Sequence, residues 1–254
     1  MTYTLIGTGN MAKYLANHLS DAGIRCVGLY GRNQEKAKEL SSFLKTKFVE
    51  NISELPISDV CLIAVSDQAI EPISKLLPKE QTTAFHFAGS ATITQIIQQN
   101  KGVIWPIYSI SPALNDKQIP VVIECNNEQA TLIAHQIAAS LTNKIIQVRA
   151  LERQWLHLCA VLMNNFGNHL AAISKQICAE NGLPFQLFLP ILQQTVEKIN
   201  NGEDPKHIQT GPARRNDILT LERHLSLLSE QPTWRDLYLS CTRSILEMYK
   251  DGQG

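Results

Sequence analysis

Net charge is missing from this sequence: 23 lysines and arginines balance 23 aspartates and glutamates over 254 residues. A balanced chain has no long-range attraction for nucleic acid or an anionic membrane, although a local basic site survives the cancellation. Long apolar runs are missing too. Leu5-Ile6 is interrupted at once by glycine, so the start does not read as a signal peptide, and no stretch is long enough to span a bilayer. The expectation is a cytoplasmic protein with neither membrane nor nucleic acid as partner. There is no Cys-x-x-Cys pair among Cys26, Cys61, Cys125, Cys159, Cys178 and Cys241. These cysteines lie in apolar segments and read as small buried hydrophobes, with no metal site expected. Internal repeats and low-complexity linkers are also lacking. What remains, 44% hydrophobic residues, is enough for one large domain or two modest ones.

The most informative stretch comes first. Tyr3-Thr4-Leu5-Ile6 reads as a short strand running into Gly7-Thr8-Gly9-Asn10-Met11-Ala12 and then an amphipathic helix. In a Gly-x-Gly-x-x-Ala turn the first glycine permits the tight turn and the second lets backbone approach a pyrophosphate. The alanine lets helix and strand pack closely. The helix N-terminus then offers unpaired N–H groups to the phosphates. Gly7, Thr8, Gly9, Asn10 and Met11 are therefore candidate cofactor contacts.

An absence at the end of the next apolar run selects the cofactor. Gly23 to Asn33 reads as a second buried strand, and an NAD site would place Asp or Glu at its end to accept from the ribose 2′-hydroxyl. The chain has Gly31, Arg32 and Asn33 there. No carboxylate would repel a 2′-phosphate, and a guanidinium could hold one, which favours NADP. The competing reading makes Arg32 a solvated residue ahead of a helix from Gln34 to Leu44.

Further strands are expected at Lys47–Glu50, Asp59–Val65, Thr82–Phe87, Gly102–Pro106, Ile119–Glu124 and Lys144–Val148, with a helix from Glu128 to Leu141. The alternation predicts an α/β fold, a Rossmann-type doubly wound and mainly parallel sheet. In such sheets ligands sit beyond the carboxyl ends of strands, which places Val65 and Ser66 at the cofactor and His86 and Ser90 near a substrate, although a lone histidine at a strand end is more often a satisfied residue of the partial core. After about residue 150 no strand pattern recurs. The predicted division is residues 1–150 as the nucleotide-binding domain and 151–254 as an all-helical domain.

The first helix of that half is expected from Glu152 to Glu180. Trp155, Leu158, Leu162, Phe166, Leu170, Ile173 and Ile177 share one face, a packing stripe. The opposite face carries His157, Val161, Asn164, Asn168 and Lys175. Lys175 is the only charge between Arg153 and Glu180, so this face is expected to be covered as well, its polar groups bonded to protein or to a ligand between the domains. Farther on, Thr210-Gly211-Pro212-Ala213-Arg214-Arg215-Asn216-Asp217 sets two arginines on a stiff turn. They suit a carboxylate or phosphate, or equally a surface salt bridge. Asn216 or Asp217 would cap the helix that follows.

Together the Gly7–Ala12 turn, the Ala64–Ile70 rim, His86 to Ser90, the helix bearing His157 and Asn164-Asn165, and the Thr210–Asp217 segment resemble a family pairing a Rossmann-like NADP-binding domain with a DUF2520 helical domain. More distantly the chain is similar to pyrroline-5-carboxylate reductase and to the 6-phosphogluconate and β-hydroxyacid dehydrogenases. The resemblance implies an NADP-linked oxidoreductase, a homodimer through its helical domain, acting on a small carbonyl or imine in the interdomain cleft. The similar hydroxyacid dehydrogenases carry a catalytic Lys one turn before an Asn. Here Ala160 and Val161 stand at that spacing, so His157 becomes the candidate proton donor. Asn164 would orient the substrate, with Asn168, Arg214 and Arg215 as further contacts. The alternative is a non-catalytic NADP(H) sensor or scaffold.

Overall fold

The computed structural model describes residues 1–111 and 119–250. The chain forms two compact units, Met1–Asn164 and Asn165–Gly254. In the first, the elements run β1 (Thr2–Ile6), α1 (Asn10–Asp21), β2 (Arg25–Tyr30), α2 (Gln34–Phe43), β3 (Val60–Ile63), α3 (Asp67–Leu76), β4 (Thr83–His86), β5 (Asn100–Pro106), β6 (Val121–Cys125), α4 (Glu128–Leu141), β7 (Ile145–Gln147) and α5 (Ala150–Ala160). Strands and helices alternate as far as β4, and the three strands β4, β5 and β6 then follow one another before α4.

The strands make one seven-stranded sheet in the order β2-β1-β3-β4-β5-β6-β7. All neighbours are parallel except β5 and β6. The chain goes from β1 outward to β2, then returns to β3 on the other side of β1. That reversal opens a crevice between the loops following β1 and β3.

Alternating strand residues face opposite layers, and both faces are apolar because both are covered. Leu5, Leu62, Phe85, Ile104 and Ile123 pack with Leu15 and Leu19 of α1 and Ile137 of α4. Ile6, Cys61, Ile63 and Ala84 turn the other way, toward Ile70 of α3. Val103, Trp105 and Val122 meet Leu156 and Ala160 of α5. By the same alternation Glu124, two residues beyond Val122, faces α5. That packing is why the first compact unit runs to Asn164 rather than stopping near residue 150.

Two expectations for this unit change. Lys47–Glu50 is not a strand: Phe48 makes a single parallel bridge to Leu29. Lys45, at φ 51, turns the chain just before it, and Asn51 caps a 3₁₀ turn just after, so no length remains for a ladder. The cysteines are all free, but only Cys26, Cys61 and Cys178 are buried, whereas Cys159 and Cys241 are exposed. Burial pushes the Cys61 thiol up to about 12 and Cys125 up to about 11. Among the described residues no helix is long and apolar enough to cross a membrane, and no group of three His, Cys, Asp or Glu side chains is placed to hold a metal ion.

The helix expected from Glu152 to Glu180 forms as α5, a π-helical turn at Val161–Phe166, and α6 (Gly167–Glu180). The second unit continues with α7 (Leu189–Asn200), the short α8 (Pro205–Ile208), α9 (Ile218–Leu227) and α10 (Pro232–Met248). The expected stripe is not a buried one. Trp155, Leu158, Leu162, Phe166 and Leu170 are 60, 45, 51, 55 and 45% exposed; only Ile173 and Ile177 are partly covered. The polar face is covered only in part: His157 and Val161 are half-buried, whereas Asn164, Asn168 and Lys175 are exposed. The second unit encloses little apolar surface of its own: Cys178, Ala213 and Leu221 are its buried apolar side chains among the described residues.

Candidate functional site

The crevice beside β1 is an open cleft of about 1250 Å³. All nine residues expected at a cofactor line it: Gly7, Thr8, Gly9, Asn10, Met11, Arg32, Asn33, Val65 and Ser66, joined by Asp67, Gln68, Phe87 and Ala88. Gly7 sits at φ +121, and a Cβ there would lie 2.1 Å from the Ala64 carbonyl oxygen, so the turn tucks under the end of β3. A Cβ on Gly9 would meet nothing within 4 Å, so this backbone faces free space in which a phosphate fits. No side chain caps α1 and its first turn holds no acid, which leaves the helix N-terminus free for an anion.

At the far end of β2, Gly31 fits against Thr8 and Ala37 with no room for a Cβ. Arg32 is exposed and lines the cleft. Asn33 caps α2, its Oδ1 accepting from the Lys36 N–H at 2.9 Å. Glycines for close approach, a free helix N-terminus and a cation where an NAD site has an acid suit a dinucleotide with a phosphorylated ribose.

The other end of the cleft is the loop after β4, Phe87 to Ser90, fixed from several directions. Ser90 donates to the carboxylate of Asp67, which lines the cleft. The Ala88 N–H donates to His86 Nδ1 at 3.2 Å. The Gly89 carbonyl accepts from Arg153. A Cβ on Gly89 would stand 2.6 Å from Trp105 Cε2 and 2.7 Å from His157 Cδ2, so His157 lies directly on this loop. The His157 and Trp105 rings are 5.5 Å apart. Asn164, in the π turn, donates to Ser109 Oγ at 3.2 Å, and Asn10 donates to the Ile110 carbonyl at 3.2 Å. The segment after β5 thus touches both the dinucleotide turn and the π turn.

Of the two readings of His86, a substrate contact and a residue of the partial core, the structure supports the second. It is fully buried, so it braces the loop from below and does not itself face a substrate. Burial, with help from the Arg153 charge, pushes its pKa down to about 4. The neutral ring accepts from Ala88 at Nδ1, which puts its hydrogen on Nε2. Because the folded pKa lies below the unfolded one, an unfolded chain binds more protons between pH 6.5 and about 4, and stability must fall as pH drops through that window. The shift corresponds to about 3 kcal/mol. Urea titrations at pH 7 and pH 4.5 should show most of that loss, and His86→Gln should remove its share; an equal pH dependence in the variant would contradict this assignment.

Sequence reasoning passed over Glu124 and Arg153. Arg153 is fully buried, and its Nε donates to Glu124 Oε2 at 2.6 Å. The signal was a lone acid inside the apolar run Ile119–Glu124, since a buried carboxylate requires a partner. Asn168, Arg214 and Arg215 belong to the second unit. Asn168 is exposed. Arg214 is engaged locally, donating to the His207 and Gln209 carbonyls and lying 5.1 Å from the Tyr249 ring centre. Arg215 is exposed. Asp217 is the cap of α9, accepting from the Thr220 N–H at 3.1 Å.

Comparison with known proteins adds family matches. Residues 119–245 match the Domain of unknown function (DUF2520) family, and residues 1–75 match the shikimate / quinate 5-dehydrogenase family. No curated protein matches the chain. A Bacteroides fragilis structure provisionally assigned as an NADP oxidoreductase is 30% identical, with 97% of this chain and 98% of that one covered and a TM-score of 0.83. A Thermotoga maritima protein is 20% identical over 99% of this chain and 100% of its own, with a TM-score of 0.77. An imine reductase from Myxococcus stipitatus, in complex with NADP+, is 15% identical over 100% and 96%, with a TM-score of 0.71.

Proposed function

The chain belongs to the DUF2520 family, and from that premise we propose that it is an NADP-dependent oxidoreductase moving a hydride between NADP(H) and a small carbonyl or imine. The observation that carries this reading is the single cleft gathering the glycine turn, the free N-terminus of α1 and Arg32, with no acid at the end of β2. Gly7, Gly9 and the first turn of α1 would hold the pyrophosphate, and Arg32 the 2′-phosphate. The bound nucleotide would supply or accept the hydride. An NADP+ complex of the similarly folded Myxococcus stipitatus imine reductase supports that choice of cofactor and a C=N substrate.

His157 would donate the proton. It lies against Gly89, next in the chain to the cleft-lining residues Phe87 and Ala88, and is partly exposed. An imine needs one proton and one hydride, so a single positioned acid beside the nicotinamide suffices. Asn164 would orient the substrate. Fluorescence titration tests the cofactor reading. NADPH should bind more tightly than NADH, and Arg32→Glu should weaken NADPH by about 10- to 100-fold, the range for a lost charge-assisted contact, with NADH little affected. Preference for NADH in the parent protein would overturn it. Tight NADPH binding with no turnover over a panel of ketones and imines would favour a sensor or scaffold.

A second copy of the chain would cover the stripe from Trp155 to Leu170. A monomer seldom leaves so many large apolar side chains in water. Light scattering should give twice the chain mass, and Leu162→Asp with Phe166→Asp should give monomer or aggregate. A parent protein that is monomeric at micromolar concentration would argue against the dimer.

A further inference from the structure

We propose that Arg153 is the positioning residue of this site: held by Glu124 on β6 and by the Gly89 carbonyl, it fixes where His157 stands at the end of the cleft. The proposal rests on the reading of His157 given above.

Stability alone does not account for the pair. Arg153 and Glu124 side chains are 0% and 5% exposed, and desolvating two charges costs several kcal/mol per ion, which their attraction only offsets. Apolar side chains of similar volume would hold α5 to the sheet at least as well. What they lack is direction. Leu156 and Ala160 pack on Val103, Trp105 and Val122, contacts that tolerate a helix rolling or sliding by a fraction of a turn. The guanidinium does not: its Nε engages Glu124 and its Nη1 engages Gly89, and a planar fork meets both only at one azimuth and one height.

His157 follows Arg153 by one helical turn and shares its face. Its ring is packed so closely on Gly89 that a Cβ there would lie 2.7 Å away, with Trp105 closing the other side. One side chain therefore sets two things together, the Gly89 peptide through its carbonyl and the His157 ring through α5. A displacement of about 1 Å at a reacting group costs on the order of a hundredfold in rate.

The test uses the full-length protein with Glu124→Leu and Arg153→Met combined, which removes both charges and keeps volume, and Arg153→Lys alone, which keeps charge and loses the fork. Three quantities are read: melting temperature with NADPH affinity, the NMR shift of the His157 imidazole, and kcat with 2-methyl-1-pyrroline as the imine. Trp105, 5.5 Å away, shifts the His157 signal by its ring current, and His157→Asn assigns it. The double variant removes both charges but leaves the Gly89 carbonyl without its donor, so it should fold, melt only a few degrees below the parent, and bind NADPH within about twofold. Its His157 signal should move toward that of free histidine, and kcat should fall about 100-fold with KM little changed. Arg153→Lys should lie between. If the double variant does not fold, Arg153→Lys supplies the same NMR comparison. An unmoved His157 signal, or an unchanged kcat in a folded variant, overturns the proposal. A parent that binds NADPH but reduces none of a panel of ketones and imines refutes the oxidoreductase reading instead, and the NMR shift still decides the role of Arg153.

Discussion

Gly7→Ala is expected to abolish NADPH binding and to lower the melting temperature by roughly 10 °C. Two independent costs add at this position. The φ of +121 lies where L side chains are strained, by about 1–3 kcal/mol. The new methyl would also sit 2.1 Å from the Ala64 carbonyl oxygen. That oxygen belongs to backbone bonded back to β1, since the Ala64 N–H donates to Ile6 at 2.8 Å, so it cannot yield without parting the two strands. Overpacking of this kind adds about 1–3 kcal/mol. Any relaxation moves the loops after β1 and β3 apart, and those loops are the walls of the cleft. Gly9→Ala is the control: its φ of −79 and the open space around its Cβ position leave stability unchanged, while the methyl enters the volume assigned to the phosphate. Differential scanning fluorimetry with and without NADPH separates the two. A Gly7→Ala protein with parental melting temperature and affinity would show that the turn is neither strained nor part of the site.

His157→Asn is expected to reduce kcat for imine reduction by about 10²- to 10⁴-fold, the range for loss of a general acid. NADPH affinity should stay as it was, because the groups assigned to the cofactor phosphates, Gly7, Gly9, the first turn of α1 and Arg32, are untouched. Asparagine is smaller than histidine, so Gly89 and Trp105 meet no new clash and the fold is retained. Stopped-flow measurement of the hydride step, followed by NADPH absorbance, distinguishes a chemical defect from slow product release. If the hydride step runs at the parental rate in the variant, the proton comes from elsewhere.

The nucleotide half of the fold was legible because its determinants are local. A glycine turn after a strand, a missing acid after β2 and near-continuous apolar runs all concern residues adjacent in sequence, and each corresponds to an observed part of the cleft or the sheet. The second half is helical as expected, but the two faces of its first helix were misjudged for the opposite reason. A wheel drawn from Glu152 to Glu180 assumes about 100° per residue throughout, and the π turn at Val161–Phe166 breaks that assumption midway. A wheel also cannot say whether an apolar stripe meets the same chain or another. Glu124 and Arg153 were hidden by separation: twenty-nine residues apart, each looks ordinary until the antiparallel β5–β6 pair turns Glu124 toward α5. His86 was visible as a polar group at a strand end, but its burial depends on the loop folded over it.

A π turn accommodates one more residue than an α turn of the same helix, so the Val161–Phe166 stretch amounts to an insertion that the helix absorbed without breaking. Relatives one residue shorter here would run an unbroken α-helix through this point. In those chains the residue aligned with Asn164 would lie about 100° away around the axis, out of reach of the loop carrying Ser109. The length of this one segment would therefore separate chains able to form the Asn164–Ser109 contact from chains that cannot.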